Sequence, residues 1–137
     1  MNAKFSKRNK GFTIIELMIV LVIVAILLAI AYPSYIQYVR KANRGDAQQL
    51  LMNWAVNQEI WRSNNTAYAG DGDIPVPTHD KFTFTVADVT ATTYTLQARA
   101  DGDQANDKAK DGTYCGAAGS LLTINQNGVK SPASCWD

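Results

Sequence analysis

From Phe12 to Ala31 the chain runs for twenty positions in which only Thr13 and Glu16 are polar or charged. A run of this length matches the ~30 Å hydrocarbon core of a bilayer at a rise of 1.5 Å per residue. It predicts one membrane-inserted helix. Pro33 follows, and because it donates no N–H and clashes with the preceding turn, a kink is expected there. Past it, Ile36, Val39, Ala47, Leu50, Leu51, Trp54 and Trp61 recur at helical spacing, with Gln37, Arg40, Lys41, Gln48, Gln49 and Asn57 between them. This second half is amphipathic and should lay its apolar stripe on a soluble core. Trp54 and Trp61, two turns apart on one face, read as core residues rather than a ligand cage. Gly45 interrupts the pattern at a cost of roughly 1 kcal/mol against Ala, so a local bend is expected there.

Asn64-Asn65, Gly70-Asp71-Gly72-Asp73, Pro75 and Pro77 then break the helical pattern, and residues 64 to 80 read as a loop. Beyond the loop the period changes to two. Phe82, Phe84 and Val86 alternate with Thr83 and Thr85 within Lys81–Ala87. Tyr94, Leu96, Ala98 and Ala100 alternate with Thr93, Thr95, Gln97 and Arg99 within Thr92–Ala100. Both are half-buried strands, and Asp88 to Ala91 suits the hairpin between them. A third run covers Ser120 to Asn125, and Asn127-Gly128 marks a hairpin turn before Val129. The predicted fold is α+β: a long kinked N-terminal helix, half membrane-inserted and half amphipathic, packed on a small antiparallel β-sheet.

Composition sharpens this picture in two respects. The 137 residues are enough for one small domain with an appendage, and 47% hydrophobic with 18% charged residues excludes a disordered or collagen-like chain. The net charge of +1 is partitioned: residues 1 to 11 hold Lys4, Lys7, Arg8 and Lys10 without an acid, leaving 9 basic against 12 acidic side chains elsewhere. A basic leader ahead of an apolar run stays cytoplasmic, which sends the C-terminal segment outside. Arg40, Lys41 and Arg44 beyond the run make the asymmetry mild. Cys115 and Cys135 are the two cysteines. In an exported chain such a pair favours a disulfide over a metal site, because two thiols do not fill a zinc shell.

The amino terminus has a plain alternative. Ala29-Ile30-Ala31 is an A-x-A pattern at the end of an apolar stretch, as in a signal peptide, and a soluble monomeric binding module would then begin at Tyr32. Against this, the run is longer than a usual signal core, and it contains Glu16. A carboxylate at membrane depth costs roughly 2.5–3.5 kcal/mol, less near the interface. An acid in the first turn of a helix is favoured by the macrodipole. A sharper role needs a cation at the same depth, and cleavage before Phe12 would create one as a new α-amino group. Four residues from Glu16, that group is badly placed to pair within its own helix but available to a neighbouring copy.

Lys10-Gly11-Phe12-Thr13-Ile14-Ile15-Glu16-Leu17 resembles the processing site of type IV pilins and pseudopilins, and the resemblance continues through Ala31-Tyr32-Pro33-Ser34-Tyr35. It implies that a prepilin peptidase cuts after Gly11 and methylates Phe12, that Glu16 is the assembly residue, and that Pro33 kinks the helix. The ending, with Tyr114-Cys115-Gly116, Leu121 to Gly128 and Cys135-Trp136, is most similar to PilE-type minor pilins, although Ala117 and Ala118 depart from the tightest form of that pattern. The resemblance divides the chain into a basic leader (1–11), a transmembrane and assembly helix (12–33) and a globular head (34–137) with a disulfide-bounded loop at 115–135. It implies major and minor pilin subunits, the prepilin peptidase and the inner membrane as partners. The chain would span that membrane once, with its head periplasmic, before entering a surface filament or its priming complex. Motility and adhesion are the functions implied. A type II secretion pseudopilin is the alternative within the superfamily, and the paired cysteines argue against it.

No nucleotide loop, nucleophile elbow or zinc-binding helix motif occurs, so no enzyme, cofactor or metal is implied. His79 has no Cys or His at metal-ligand spacing and reads as a solvated loop residue. Asp101 to Asp107 superficially resembles a calcium loop, but Ala105 holds a ligand position and Asn106 replaces the glycine. Calcium in a looser site stays open. Lys108, Lys110 and Lys130 offer cations to a nucleic-acid backbone, yet beside four aspartates they make a poor phosphate track. A DNA-uptake role is compatible with the pilin reading without being required by it.

Overall fold

The computed structural model describes residues 11–136, so Lys4, Lys7, Arg8 and Lys10 of the basic leader lie outside the described residues. The elements are α1 (Ile14–Asn64), β1 (Phe82–Ala87), β2 (Thr95–Ala100), β3 (Leu122–Asn125) and β4 (Lys130–Ser131), with 3₁₀ turns at Gly102–Asn106 and Ala133–Cys135. The chain divides into two compact units, Met1–Ile36 and Gln37–Asp137.

In the first unit, α1 starts on a cap that the sequence contains but pattern reading did not single out. The Thr13 hydroxyl accepts the Glu16 backbone N–H at 3.2 Å. Thr-x-x-Glu is the capping-box spacing, and it satisfies one of the donors a helix start leaves unpaired. From Gly11 to Tyr35 every residue is exposed. Pro33 lies inside α1, which continues as helix through it and through Gly45. Having no N–H, Pro33 leaves the carbonyl four residues earlier without its helical partner.

In the second unit, the later turns of α1 pack on a four-stranded antiparallel meander of order β1-β2-β3-β4. Phe82 lies opposite Ala100, Leu96 opposite Ile124, and Ile124 opposite Lys130. The alternation read from the sequence sets the inner face: Phe82, Phe84, Leu96, Ala98, Leu122 and Ile124 are buried with Ala47, Leu51 and Trp54 of α1 in one core. Cys115 and Cys135 are bonded and fully buried in that cluster. Gly116 has φ +93°, and a Cβ there would meet Ala100 Cβ and Phe82 Cε1 at 3.1 Å. Only glycine fits where the cysteine loop crosses the sheet.

Three sequence expectations change. Trp61 is half-buried rather than core. The stripe is continued one turn earlier by Gln58, fully buried, whose amide donates to the Ala69 carbonyl at 2.9 Å and accepts its N–H at 2.8 Å. A glutamine here pins the passing loop in place of a side chain that would only fill volume. β2 begins at Thr95, not Thr92, because the Thr90 hydroxyl takes the N–H groups of Thr92 and Thr93 at 3.1 and 2.9 Å, holding them in a turn. His79 is half-buried and fastens the entry to β1, its Nδ1 accepting the Lys81 N–H at 3.0 Å.

The Cys115–Cys135 bond closes a loop of 20 residues. By loop-closure entropy, replacing both cysteines with serine should lower the unfolding free energy by about 3 kcal/mol. Denaturant titration of the full chain in detergent measures it, and an unchanged midpoint would remove the staple from the account.

Candidate assembly site

Gly11 and Phe12 precede the first turn of α1, so the peptide bond joining them lies outside the hydrogen-bonded helix. Nothing crowds Gly11, and Phe12 is 84% exposed. Glu16 is exposed in the first turn, the lone acid of an otherwise apolar surface. Within α1 one stretch is long and apolar enough to cross a membrane, and none of it is buried. Ile15, Met18, Ile19, Val22 and Ile23 form a wholly apolar face on this surface. A surface of this extent on a soluble chain needs lipid or another protein to cover it.

The second unit carries a polar clamp. Arg40 grips Asp103 through both carboxylate oxygens, Nη2 to Oδ1 at 2.7 Å and Nε to Oδ2 at 3.1 Å. One turn on, Arg44 Nη1 donates to Asp107 Oδ2 at 2.8 Å, and both side chains are buried. Between the pairs, Asn43 donates to Gln104 Oε1 at 3.1 Å, and Gln104 Nε2 donates to the Arg40 carbonyl at 2.9 Å. The two pairs differ in worth. Asp103 is exposed, so its pair contributes little after screening. The Asp103 carboxyl is held below the usual range by its hydrogen bonds from Arg40 and Asn106. Asp107 is pushed up by burial, which outweighs the lowering by Arg44.

This clamp also accounts for the aspartate run that imitates a calcium loop. Asp103 and Asp107 are taken by arginines, and Asp101 accepts from the Thr83 hydroxyl at 2.6 Å and pairs with Arg99. Among the described residues no group of three or more His, Cys, Asp or Glu is placed to hold a metal ion. The sequence did carry a signal for the clamp: Arg40 and Arg44, four apart, face Asp103 and Asp107, also four apart. On the cysteine-bounded segment and its approach, Lys108 sits 4.2 Å over the Tyr114 ring and Lys130 sits 5.0 Å over Trp136.

A long amino-terminal helix that starts bare and apolar, and whose later turns pack on an antiparallel meander closed by a disulfide, defines a pilin-type subunit. Comparison with known proteins agrees. The prokaryotic N-terminal methylation motif matches residues 6–32, and the family described as "Type IV minor pilin ComP, DNA uptake sequence receptor" matches residues 33–119, more than half of the chain. The chain belongs to this type IV minor pilin family. It is 37% identical over 67 residues to the type IV major pilin protein PilA of Myxococcus xanthus, covering 49% of this chain and 30% of PilA. It is 37% identical over 79 residues to the prepilin peptidase-dependent protein D of Escherichia coli (55% of this chain, 54% of the relative). Against a fimbrial protein of Neisseria meningitidis it is 42% identical over 66 residues (43% and 39%). The chain thus spans about half or less of the length of these relatives. A solved type IV pilin from Shewanella oneidensis shares the fold, with a TM-score of 0.55 at 24% identity, over 72% of this chain and 98% of that one.

The clamp makes a graded prediction. Arg44→Met should cost about 3–5 kcal/mol near neutral pH, because it strands a buried carboxylate. Asp107 has a folded pKa above its ordinary 3.8, so its protonated form favours folding and its contribution is lost as pH rises. The deficit of the variant should therefore shrink as pH falls through the carboxylate range. Arg44→Met with Asp107→Leu should recover most of the loss, and denaturant titrations at pH 3.5 and 7 measure both effects.

Proposed function

We propose that this chain is a minor pilin subunit of a type IV pilus. It is made as a prepilin, cut after Gly11 and methylated on Phe12 by a prepilin peptidase. Residues 12 to about 32 hold it in the inner membrane with the head periplasmic, until it enters the filament or its priming complex in support of motility and adhesion. The observation that carries the reading is the bare apolar first unit, broken by one acid. Packing against other pilin helices buries the surface that lipid covers beforehand. A cut after Gly11 places a new α-amino group near the membrane depth of Glu16. Pairing it with a neighbour's Glu16 neutralises both charges and sets the stacking register. The exposed, non-helical Gly11-Phe12 bond suits a peptidase, which needs its substrate extended. Pro33 supplies a point where α1 adapts to its neighbours. A signal-peptide cut after Ala31 would fall inside α1, and the paired cysteines disfavour the type II secretion alternative.

The experiment is the intact mass of the protein from membranes and from sheared filaments of its host. Loss of residues 1 to 11, one added methyl and two missing hydrogens is the expected result. A soluble species starting at Tyr32 would overturn the reading. Glu16→Ala should be processed normally yet be depleted from sheared filaments, and its normal incorporation would sink the charge-pair mechanism.

A second reading, DNA uptake, is favoured by the family description and by Lys108 and Lys130 resting on aromatic rings beside the disulfide. A cation beside an aromatic ring can meet a phosphate while the ring's uncovered face stacks a base. Duplex DNA retained on a filter by the full chain should weaken steeply between about 50 and 200 mM salt. Retention that does not change with salt would exclude phosphate contacts.

A further inference from the structure

The last turns of α1 and the loop after Asp73 form an open groove of about 530 Å³ in the second unit. Its helical side carries Asn57, Ile60, Trp61 and Asn64, which share one face at spacings of three and four residues, with Asn65 just beyond. The loop contributes Ile74 and Pro75. That loop is anchored: Gln58 bonds both backbone groups of Ala69, the Gly70 N–H donates to Asp73 at 2.7 Å, and Ile74 packs against the core. Trp61, which helical spacing assigns to the core, is only half-buried, and Ile60 beside it is 60% exposed. Asn57 is exposed, and neither its amide nor the Trp61 indole N–H bonds to protein among the described residues. Asn64 and Asn65 donate to the carbonyls of Ile60 and Trp61 at 3.3 and 2.9 Å, while their side-chain oxygens accept nothing among those residues. No lining residue is charged. Arg62, next to Trp61, is spent on the Ala91 and Asn65 carbonyls at 2.9 and 2.6 Å.

We propose that this groove binds a neutral saccharide. A sugar ring presents a face of C–H groups and a rim of hydroxyls that both donate and accept. The C–H face matches the half-open indole and its aliphatic neighbours. The hydroxyls match three amides, each offering an acceptor oxygen beside N–H donors. A mostly apolar lining with a few polar groups is the usual make-up of a small-molecule site. The lack of charge narrows the ligand class. A nucleic-acid strand needs cations along its backbone as well as a ring to stack on, and no lysine or arginine lines the groove. An acidic sugar would lack the same counter-charge. An apolar protein partner would bury the amides of Asn57, Asn64 and Asn65 without matching groups, which is costly. The groove and the anchors of its loop lie wholly within the second unit, so the inference goes beyond the minor-pilin reading and does not rest on it.

The test uses the full chain in a detergent without a sugar headgroup. Saturation-transfer NMR against glucose, galactose, mannose, N-acetylglucosamine and their methyl glycosides should detect at least one of them binding with about millimolar strength. Trp61→Ala should weaken that binding about tenfold, the scale of one aromatic contact. Asn57→Ala should weaken it about fivefold, the scale of one neutral hydrogen bond, without moving the denaturant midpoint. If Trp61→Ala lowers the midpoint, Asn57→Ala decides alone. Binding of none of these sugars, or binding that Asn57→Ala leaves unchanged, would overturn the inference. So would glucuronic acid binding more tightly than every neutral sugar, or adenosine binding as tightly as the best of them. A photo-crosslinking residue at position 57 that captures a second copy of the chain while sugar is present would assign the groove to protein contact and overturn it as well.

Discussion

A single helix has to satisfy two solvents, and the rest of the structure follows from that. Along its first turns α1 carries apolar side chains on every face, so no amount of folding within this chain could bury them all. Along its later turns the apolar residues narrow to a single stripe, and a four-stranded sheet suffices to cover it. The change of pattern falls close to Pro33, the one residue inside α1 that cannot donate to the helical ladder. The capping hydroxyl of Thr13 and the acid of Glu16 then stand at the opposite end of the apolar stretch. Glu16 thereby serves the helix start locally, and in the proposed assembly it meets a charge from another chain.

The head is small, and its hydrophobic core alone is modest. It is supplemented by devices that tie distant segments of chain to α1: Gln58 to the loop after the helix, the arginine pairs to the turn after β2, and the disulfide to the C-terminal tail. Each replaces some of the apolar contact that a head of about 100 residues has limited room to supply. The arginine pairs also have a directional consequence. They draw the acidic turn onto α1 and engage two of its carboxylates.

Much of this was legible in the sequence because it rests on local periodicity. The apolar run, the amphipathic stripe, the alternation of Phe82, Phe84, Leu96, Ala98, Leu122 and Ile124, and the two cysteines each announce their environment through neighbours two, three or four residues away. The misjudged positions are those where a polar group competes with that periodicity. Thr90 holds Thr92 and Thr93 in a turn although they continue the alternation on paper. Gln58 occupies the core place that helical spacing assigns to Trp61, because a loop backbone passing there needs two hydrogen bonds more than it needs apolar volume.

Side-chain chemistry and repeat length act over a few residues, and they suffice to establish that one end of the chain cannot stay in water and that the other end can. They also establish where the helix must change character, and that Glu16 is the acid to explain. Which charges cancel was decided by tertiary packing, the matched four-residue spacing of the two arginines and the two aspartates being the one hint of it in the sequence. Arg40 and Arg44 find Asp103 and Asp107 sixty-three residues away. Coulomb attraction depends on distance and burial rather than on position in the chain, and both quantities are set by the packing of α1 against the turn after β2.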